Sequence, residues 1–199
     1  MATTTAILET TAAPPAEIED DSRYEVVNGR RVELPPMGAF PTEIASILAL
    51  YLGPFARAHR LGKVVVEMLF FLDAAADLQR RPDVAFISSS RWPLRRPAPE
   101  DAAWDVIPDL AVEVVSPTDR AEAGLDKVRE YFEAGVRLVW VVFPKLRVVH
   151  VFESFTTIRV LTRADALDGG AVVPGFRLPL ASLFEDETDE IAEAAPPSP

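Results

Sequence analysis

The sequence predicts a single α/β domain in which a mixed β-sheet is flanked by helices. Two observations lead to this class. Several short, β-rich apolar segments alternate with two longer segments whose apolar residues recur at helical spacing. The chain has 199 residues, of which 49% are hydrophobic, so it can bury one sizeable core. The core order is predicted as helix, strand, strand, strand, helix, strand (αβββαβ), with an added β-hairpin before and after.

A β-hairpin and a helix are predicted at the start of the domain. The segment YEVVNGRRVEL has two β-rich runs around Asn28 and Gly29, a dipeptide typical of type I′ turns. The next segment, PTEIASILALYLGPFARAHRLG, carries apolar residues at helical spacing and forms the first predicted helix. A bend or break of this helix is expected at Gly53 and Pro54, because proline has no backbone N–H to donate to the preceding turn.

The remaining core elements follow from short apolar runs and one amphipathic segment. The first three predicted strands are KVVVEMLFFLD, RPDVAFIS and DLAVEVVS, with a long Pro- and Arg-rich loop over roughly 88–107. The segment TDRAEAGLDKVREYFEAGV predicts the second helix, with Leu125, Val128 and Phe132 as its apolar stripe and Gly135 as its stop. RLVWVVF predicts a strand buried on both faces, and RVVHVFE and TTIRVLT predict the final hairpin.

Acidic residues are concentrated at the two ends of the chain. The net charge is −11, but residues 1–21 hold five acids and residues 185–199 hold six, with no base in either segment. The remaining 20 acids balance the 20 Lys and Arg of residues 22–184. The sequence therefore predicts a formally neutral domain at 22–184 between two disordered acidic tails, 1–21 and 185–199.

Composition excludes several kinds of site. The chain has no cysteine, so disulfides, thiolate metal sites and thiol nucleophiles are ruled out, and its two histidines are too few for most zinc sites. Any metal would need oxygen ligands. No run of about 18 apolar residues is apparent, and the first residues have no signal-peptide pattern. We therefore expect a cytoplasmic protein with no membrane partner.

Two carboxylates, Asp83 and Glu113, fall within predicted apolar strands. Residue alternation places each of them on a face with apolar neighbours. An ionised carboxylate buried without a partner costs several kcal/mol, so each acid needs a compensating charge, hydrogen-bond network or metal. If the two strands are neighbours, the acids converge, and a divalent cation would stabilise both in their charged form.

Lys127 completes this candidate set, because its stem can lie along the sheet while its ammonium reaches the acids. Only three of the 20 basic residues are lysines. A lysine here, in a chain that otherwise uses arginine, indicates that this position requires a compact charge. Each residue also has a simpler interpretation. Asp83 could cap a strand, Glu113 could pair with an arginine, and Lys127 could form a surface pair with Glu130 or Tyr131. Together, the three residues favour a divalent-metal site.

Other polar residues are weaker candidates. Glu67 is a third acid in a predicted strand and could be a metal ligand, or could pair with Lys63 or an arginine. Glu43 in the first helix could also face the site. A cluster of arginines could contact phosphate or form an ordinary solvated loop, with Arg80 and Arg81 the phosphate-contact candidates. The cluster lies within 17 residues and consists of Arg80, Arg81, Arg91, Arg95 and Arg96.

Five segments in this order resemble the bacterial Uma-type family of restriction endonucleases: YEVVNGRRVEL, RPDVAFIS, PDLAVEVVSPTDR, KVREYFEAGVRLVWVVFP and DGGAVVPGFRLPLASLF. That family is similar to the PD-(D/E)XK nuclease superfamily, so the resemblance implies a restriction-endonuclease-like fold over residues 22–184. Pro82 and Asp83 match the PD element, and Glu113 matches the acid of the second half-motif. Val115 stands where the lysine is expected, and the resemblance transfers that lysine's role to Lys127.

The resemblance implies a metal-dependent endonuclease that hydrolyses phosphodiester bonds, with DNA as the expected substrate. Asp83, Glu113 and the backbone carbonyl of Val114 would hold one Mg²⁺ or Mn²⁺, and Lys127 would orient the water or neutralise the phosphate. A homodimer is expected, because cutting both strands of a duplex with one site per chain suggests two-fold symmetry. The alternative is an inactive nuclease-fold module for DNA binding or protein interaction. The neutral core and acidic tails weaken the case for DNA affinity, which comes mainly from phosphate neutralisation, whereas the presence of all three candidate residues favours the enzyme.

Overall fold

The computed structural model describes residues 23–117 and 119–184, so both predicted acidic tails lie outside the described residues. The helices are α1 (Ala39–Ala58), α2 (Ala121–Ala134) and α3 (Leu180–Leu183). The strands are β1 (Tyr24–Val27), β2 (Arg30–Glu33), β3 (Gly62–Val66), β4 (Leu69–Asp73), β5 (Leu78–Arg80), β6 (Val84–Ser88), β7 (Ala103–Trp104), β8 (Leu110–Val114), β9 (Leu138–Phe143), β10 (Val148–Ser154), β11 (Thr157–Leu161), β12 (Ala166–Asp168) and β13 (Arg177–Pro179).

A six-stranded mixed sheet forms the centre of the domain, in the order β11-β10-β9-β8-β6-β3. Strands β8 and β9 are parallel, and their connection contains α2; the other neighbouring pairs are antiparallel. Along the chain, α1, β3, β6, β8, α2 and β9 reproduce the predicted αβββαβ order. The fold class expected from the sequence, a mixed sheet flanked by helices, is confirmed.

The N-terminal hairpin belongs to a second sheet, with the order β2-β1-β5-β4-β7. Asn28 and Gly29 have φ angles of 52° and 72°, the positive values that a type I′ turn requires at both central positions. The hairpin is therefore formed as predicted. Its strand β1 also pairs with β5. This pairing brings the hairpin next to the start of β6.

The prediction of one continuous strand from Lys63 to Asp73 is wrong. The chain turns at Glu67, whose φ of 49° is not compatible with an extended strand. The amide of Glu67 donates a hydrogen bond of 3.1 Å to the carbonyl of Asp83, which holds this turn against the start of β6. As a result, β3 pairs in the central sheet and β4 pairs in the second sheet.

Helix α1 covers one face of the central sheet with Ile44, Leu48 and Leu52, all of them buried. It continues through Pro54 to Ala58, so the expected break does not occur. By length and composition α1 is also apolar enough to cross a membrane, a test that the core helix of a globular domain passes as well.

Helix α2 covers the opposite face with Val128 and Tyr131, and it ends at Gly135 in the left-handed conformation, as predicted. Leu125, predicted in its apolar stripe, is instead 49% exposed.

The two faces of β8 determine the direction in which Glu113 points. Val112 and Val114 pack in the cluster that contains α1, whereas Ala111 packs in the cluster that contains α2. Alternation therefore directs Glu113 toward α2.

Candidate active site

Asp83 and Glu113 lie side by side at one end of the central sheet. Strands β6 and β8 are antiparallel with Val84 opposite Val112, so the residues next in register are Asp83 and Glu113. Asp83 stands immediately before β6 rather than inside a strand, which corrects the sequence prediction. Its Oδ2 accepts a hydrogen bond of 2.6 Å from the amide of Val114. The structure thus brings together the two acids that the sequence singled out.

Helix α2 supplies both side-chain partners of Glu113. Tyr131 and Lys127 are one helical turn apart, so they project from the same face. The Tyr131 hydroxyl donates a hydrogen bond of 2.6 Å to Glu113 Oε1, and Lys127 Nζ lies 3.2 Å from Oε2. Lys127 therefore reaches the acids across the sheet instead of pairing on the surface with Glu130 or Tyr131.

Glu25 of β1 is a third carboxylate in this cluster, and sequence reasoning missed it. Its side chain is 2% exposed, and Lys127 Nζ lies 2.9 Å from its Oε1. Its Oε2 accepts a hydrogen bond of 2.6 Å from Arg80, and its Oε1 accepts one of 3.1 Å from the amide of Arg81. The sequence feature that could have identified Glu25 is an acid between Tyr24 and Val26 in a β-rich run. The same kind of pattern identified Glu113.

Arg80 is not available to contact phosphate, so this prediction is wrong. Only 8% of Arg80 is exposed, and its guanidinium pairs with Glu25 and with Glu130 of α2, each at about 2.7 Å or less. Ion pairing of this kind offsets the cost of burying all three charges. Arg80 connects the N-terminal hairpin to α2.

Arg81 and Arg23 present positive charge near Asp83. The guanidinium of Arg81 donates hydrogen bonds to the backbone carbonyls of Tyr24 and Glu67. These two partners are uncharged, so they do not neutralise the positive charge of Arg81. Arg23 Nε lies 3.1 Å from the carboxylate of Glu67, so Glu67 pairs with an arginine, one of the two predicted alternatives. Glu43 is exposed near the start of α1.

Arg91 and Arg96 of the predicted cluster contact the protein itself. Arg91 Nε lies 3.0 Å from the buried carboxylate of Asp109, and the Arg91 guanidinium also donates hydrogen bonds to the carbonyls of Ile107 and Gly135. Arg96 stacks over the ring of Trp92 at 3.7 Å. These contacts hold the Pro- and Arg-rich loop against the domain.

A small pocket of about 90 Å³ opens beside the paired acids. Its polar lining includes Asp83, Glu113, Lys127, Arg81 and Arg23. A larger, mainly apolar pocket of about 490 Å³ adjoins it and shares Glu113 and Lys127 as lining residues. Three acids, the paired Asp83 and Glu113 together with Asp119, and three bases therefore line one solvent-connected space, an arrangement suited to an anionic substrate and a cation.

Comparison with known proteins places the chain in a family. The model of the Uma2 family, described as "Putative restriction endonuclease", matches residues 9–181. The chain belongs to the Uma2 family. A crystal structure described as a putative nuclease belonging to DUF820, from Anabaena variabilis, shares this Uma2 fold with a TM-score of 0.70 and 17% sequence identity, covering 81% of this chain and 89% of that one. No curated protein matches. The family description indicates a nuclease, and the structural likeness shows a shared fold.

Burial is the main influence on the two acids of the Uma2 site. It raises the pKa of Asp83 to about 7, with a further contribution from the charge of Glu113, while the hydrogen bond from Val114 acts in the opposite direction. Burial also raises the pKa of Glu113, although Lys127 and Tyr131 partly oppose this effect. Asp83 thus stays charged at neutral pH only at a cost.

Lys127 and Glu25 are held in their charged forms by each other and by their neighbours. Burial alone would lower the pKa of Lys127, but Glu113 and Glu25 outweigh it and raise this pKa. Burial alone would raise the pKa of Glu25, but Lys127 and Arg80 outweigh it and lower this pKa. Glu25 is therefore paired directly with two cations, whereas the direct hydrogen-bond partner of Asp83 is a backbone amide.

The donor set of the Uma2 site fits a hard divalent cation with few protein ligands. Asp83 and Glu113 supply carboxylate oxygens, the ligands that Mg²⁺ and Mn²⁺ prefer. Within residues 23–117 and 119–184, no group of three or more His, Cys, Asp or Glu is placed to hold a metal ion. Mg²⁺ in proteins usually keeps several of its water ligands and is bound by one or two carboxylates, so two carboxylates and a backbone carbonyl are a suitable set of protein ligands.

Proposed function

We propose that this Uma2 protein is a divalent-metal-dependent endonuclease that hydrolyses phosphodiester bonds in DNA. The observation that supports this most strongly is the register of β6 and β8, which places Asp83 beside Glu113 in a pocket that Lys127 also lines. Burial makes a charged Asp83 costly, and a bound cation would offset this cost. The proposed cation is Mg²⁺ or Mn²⁺.

Each residue of the pocket has a role in this proposal. Asp83 and Glu113 would hold the cation, with the backbone carbonyl of Val114 as a further oxygen ligand. When bound, the cation would lower the pKa of a water molecule and neutralise charge on the phosphate oxygens. Lys127, kept positive by its two carboxylate partners, would orient that water or stabilise the negative charge that builds on the phosphate. Arg81 would bind a phosphate beside the scissile one.

DNA as the substrate rests on the family description and on the local charge of the pocket. The chain as a whole is acidic, with a net charge of −11, so long-range attraction to DNA is weak. Binding would depend on the few cations that line the pocket, chiefly Arg81, Arg23 and Lys127. We propose that two copies act together on a duplex, because each chain offers one such pocket.

One observation favours a second candidate, a nuclease fold that binds nucleic acid or protein without cleaving. Both oxygens of Glu113 already have donors, Tyr131 and Lys127, so a cation must share or displace them. The melting temperature in millimolar Mn²⁺ and in EDTA separates the two candidates. A ligand that binds only the folded state stabilises it, by about 1.4 kcal/mol when its concentration is ten times Kd. An unchanged melting temperature would favour the non-cleaving module.

Cleavage assays test the substrate. The wild-type protein would be incubated with supercoiled plasmid, a single-stranded oligonucleotide and RNA, each with Mg²⁺, Mn²⁺ or EDTA. The proposal predicts nicking or linearisation of the plasmid in either metal and none in EDTA. Cleavage of RNA alone would exclude DNA as the substrate and keep the hydrolytic role. Cleavage that persists in EDTA would exclude the proposed metal dependence.

A further inference from the structure

We infer that Glu25 is a positioning residue that holds the ammonium of Lys127 between two carboxylates and so keeps Glu113 available to a divalent cation. The inference rests on the proposed function, because it gives Glu25 a task in the same metal site. It extends the site from the nuclease core to the N-terminal hairpin, which lies outside the αβββαβ elements.

The carboxylate of Glu25 is held rigidly. It is almost fully buried, and each of its oxygens has a fixed partner: Oε2 accepts from Arg80 at 2.6 Å, and Oε1 accepts from the amide of Arg81 at 3.1 Å. Arg80 is itself fixed by Glu130 of α2. A carboxylate held in this way provides a stationary anchor for the flexible side chain of Lys127.

Lys127 is shared between two acids that belong to different sheets. Its Nζ lies 2.9 Å from Glu25 and 3.2 Å from Glu113, so the closer contact is to the residue outside the proposed metal ligands. An ammonium has three donors but one charge, and both acids compete for it. If Glu25 were neutral, Glu113 would be the main anionic partner, and the ammonium would move toward it and compete with the cation.

A purely structural role would look different, and the chain offers a matched example. Asp109 is 1% exposed and pairs with Arg91 at 3.0 Å and Arg137 at 3.5 Å. Asp109 lines neither the small pocket beside the paired acids nor the larger apolar pocket that adjoins it. Asp109→Asn therefore removes a buried, ion-paired carboxylate of the same kind without touching Lys127, and it is the control for loss of stability alone.

The test is a double-mutant cycle in Mn²⁺ affinity, measured by calorimetry on metal-free protein. Glu25→Gln is expected to weaken Mn²⁺ binding about tenfold, the usual effect of losing a partner that orients a metal ligand. In the Lys127→Ala background, the same change should alter affinity by less than about twofold, because the competing ammonium is gone. Asp109→Asn should lower the melting temperature and leave Mn²⁺ affinity unchanged.

Two results would overturn the inference. If Glu25→Gln weakened Mn²⁺ binding equally with and without Lys127, the effect would be the loss of a nearby negative charge and not the position of Lys127. If Glu25→Asp bound Mn²⁺ as tightly as the wild type does, a negative charge near this position would be sufficient for Mn²⁺ binding, and the contact between the longer Glu25 side chain and Lys127 would not be required. We expect Glu25→Asp to resemble Glu25→Gln, since its shorter side chain retracts the carboxylate from Nζ.

A structural readout separates this inference from the proposed function. In a crystal structure of Glu25→Gln, the distance between Lys127 Nζ and Glu113 Oε2 should be shorter than the 3.2 Å of the wild type. This distance can be measured whether or not metal binds. A wild type that binds no Mn²⁺ would contradict the proposed function, and an unchanged distance in Glu25→Gln would contradict the role of Glu25.

Discussion

The carboxylate of Asp83 and the backbone amide of Val114 are joined by a hydrogen bond of 2.6 Å, which ties the start of β6 to the end of β8. Because Val114 follows Glu113, this bond also fixes the spacing of the two acids. A neutral acceptor could accept the same hydrogen bond. The fold therefore needs the shape of Asp83 but not its charge, whereas metal binding needs the charge.

Asp83→Asn should separate stability from function. Asparagine can keep the hydrogen bond to Val114 while removing a charge whose burial raises the pKa of Asp83 to about 7. At pH 8 and without metal, we expect the variant to be more stable than the wild type by about 1–2 kcal/mol, while Mn²⁺ binding and cleavage are lost. Denaturant unfolding in EDTA measures the first effect, and calorimetry measures the second.

The stability gain of Asp83→Asn has a defined pH window. The folded-state pKa of Asp83 is above its usual value of 3.8, so folding is penalised in full above about pH 7. The penalty shrinks as pH falls from 7 toward 4, where both folded and unfolded states become protonated. The advantage of the variant should shrink over the same range. A variant less stable than the wild type at pH 8 would contradict this account.

Metal affinity should depend on pH for the same reason. A carboxylate must be ionised to bind Mn²⁺, so metal and proton compete for Asp83. We expect affinity to rise from pH 5 to about pH 7, the raised pKa of Asp83, and to level off above it. Calorimetry in buffers with different ionisation enthalpies would also detect the released proton. A flat affinity profile between pH 5 and pH 7 would show that Asp83 is not a ligand.

Arg80 and Arg81 are adjacent but should behave differently when changed to methionine. Arg80→Met leaves Glu25 and Glu130 without their shared cation, and breaking a buried ion pair costs about 3–5 kcal/mol of unfolding free energy. Arg81→Met should have a smaller effect on stability but weaken DNA binding uniformly across sequences and reduce the salt-dependence slope by about one. Urea unfolding and fluorescence anisotropy with labelled DNA in Ca²⁺ distinguish the two.

Lys127→Ala should impair the chemical step more than metal binding. Removing a preorganised charge that stabilises the transition state typically reduces kcat by about 10² to 10³. Mn²⁺ affinity should hold or increase, since the ammonium no longer competes for Glu113. Single-turnover cleavage and calorimetry measure these effects. Loss of Mn²⁺ binding in a folded Lys127→Ala protein would mean that Lys127 supports the cation and does not compete with it.

The sequence was sufficient for the core of the fold because the signals there are local. Helical spacing, strand-length apolar runs and the Asn28-Gly29 turn predicted the αβββαβ order and the first hairpin, and both are confirmed. The break at Glu67 could not be predicted, since it depends on a hydrogen bond to the carbonyl of Asp83, 16 residues away. Local patterns carry no information about such contacts.

The site was predicted only in part for the same reason. Asp83 and Glu113 were recognisable as acids among apolar residues, and their meeting required only that two strands be neighbours. Glu25 and Arg80 pair because β1 docks on β5, and nothing in either short segment specifies that partner. The exposure expected for Arg80 was therefore wrong, and Glu25 was overlooked despite its burial.

Cleavage of supercoiled plasmid by the wild type and by Glu113→Gln tests the central claim most directly. Both proteins would be assayed with Mn²⁺ and with EDTA, and Asp109→Asn would serve as a control for the loss of a buried acid elsewhere. The account predicts Mn²⁺-dependent nicking by the wild type and the control, and none by Glu113→Gln although it remains folded. Equal nicking by the wild type and Glu113→Gln would contradict it, because the activity would then not depend on this site.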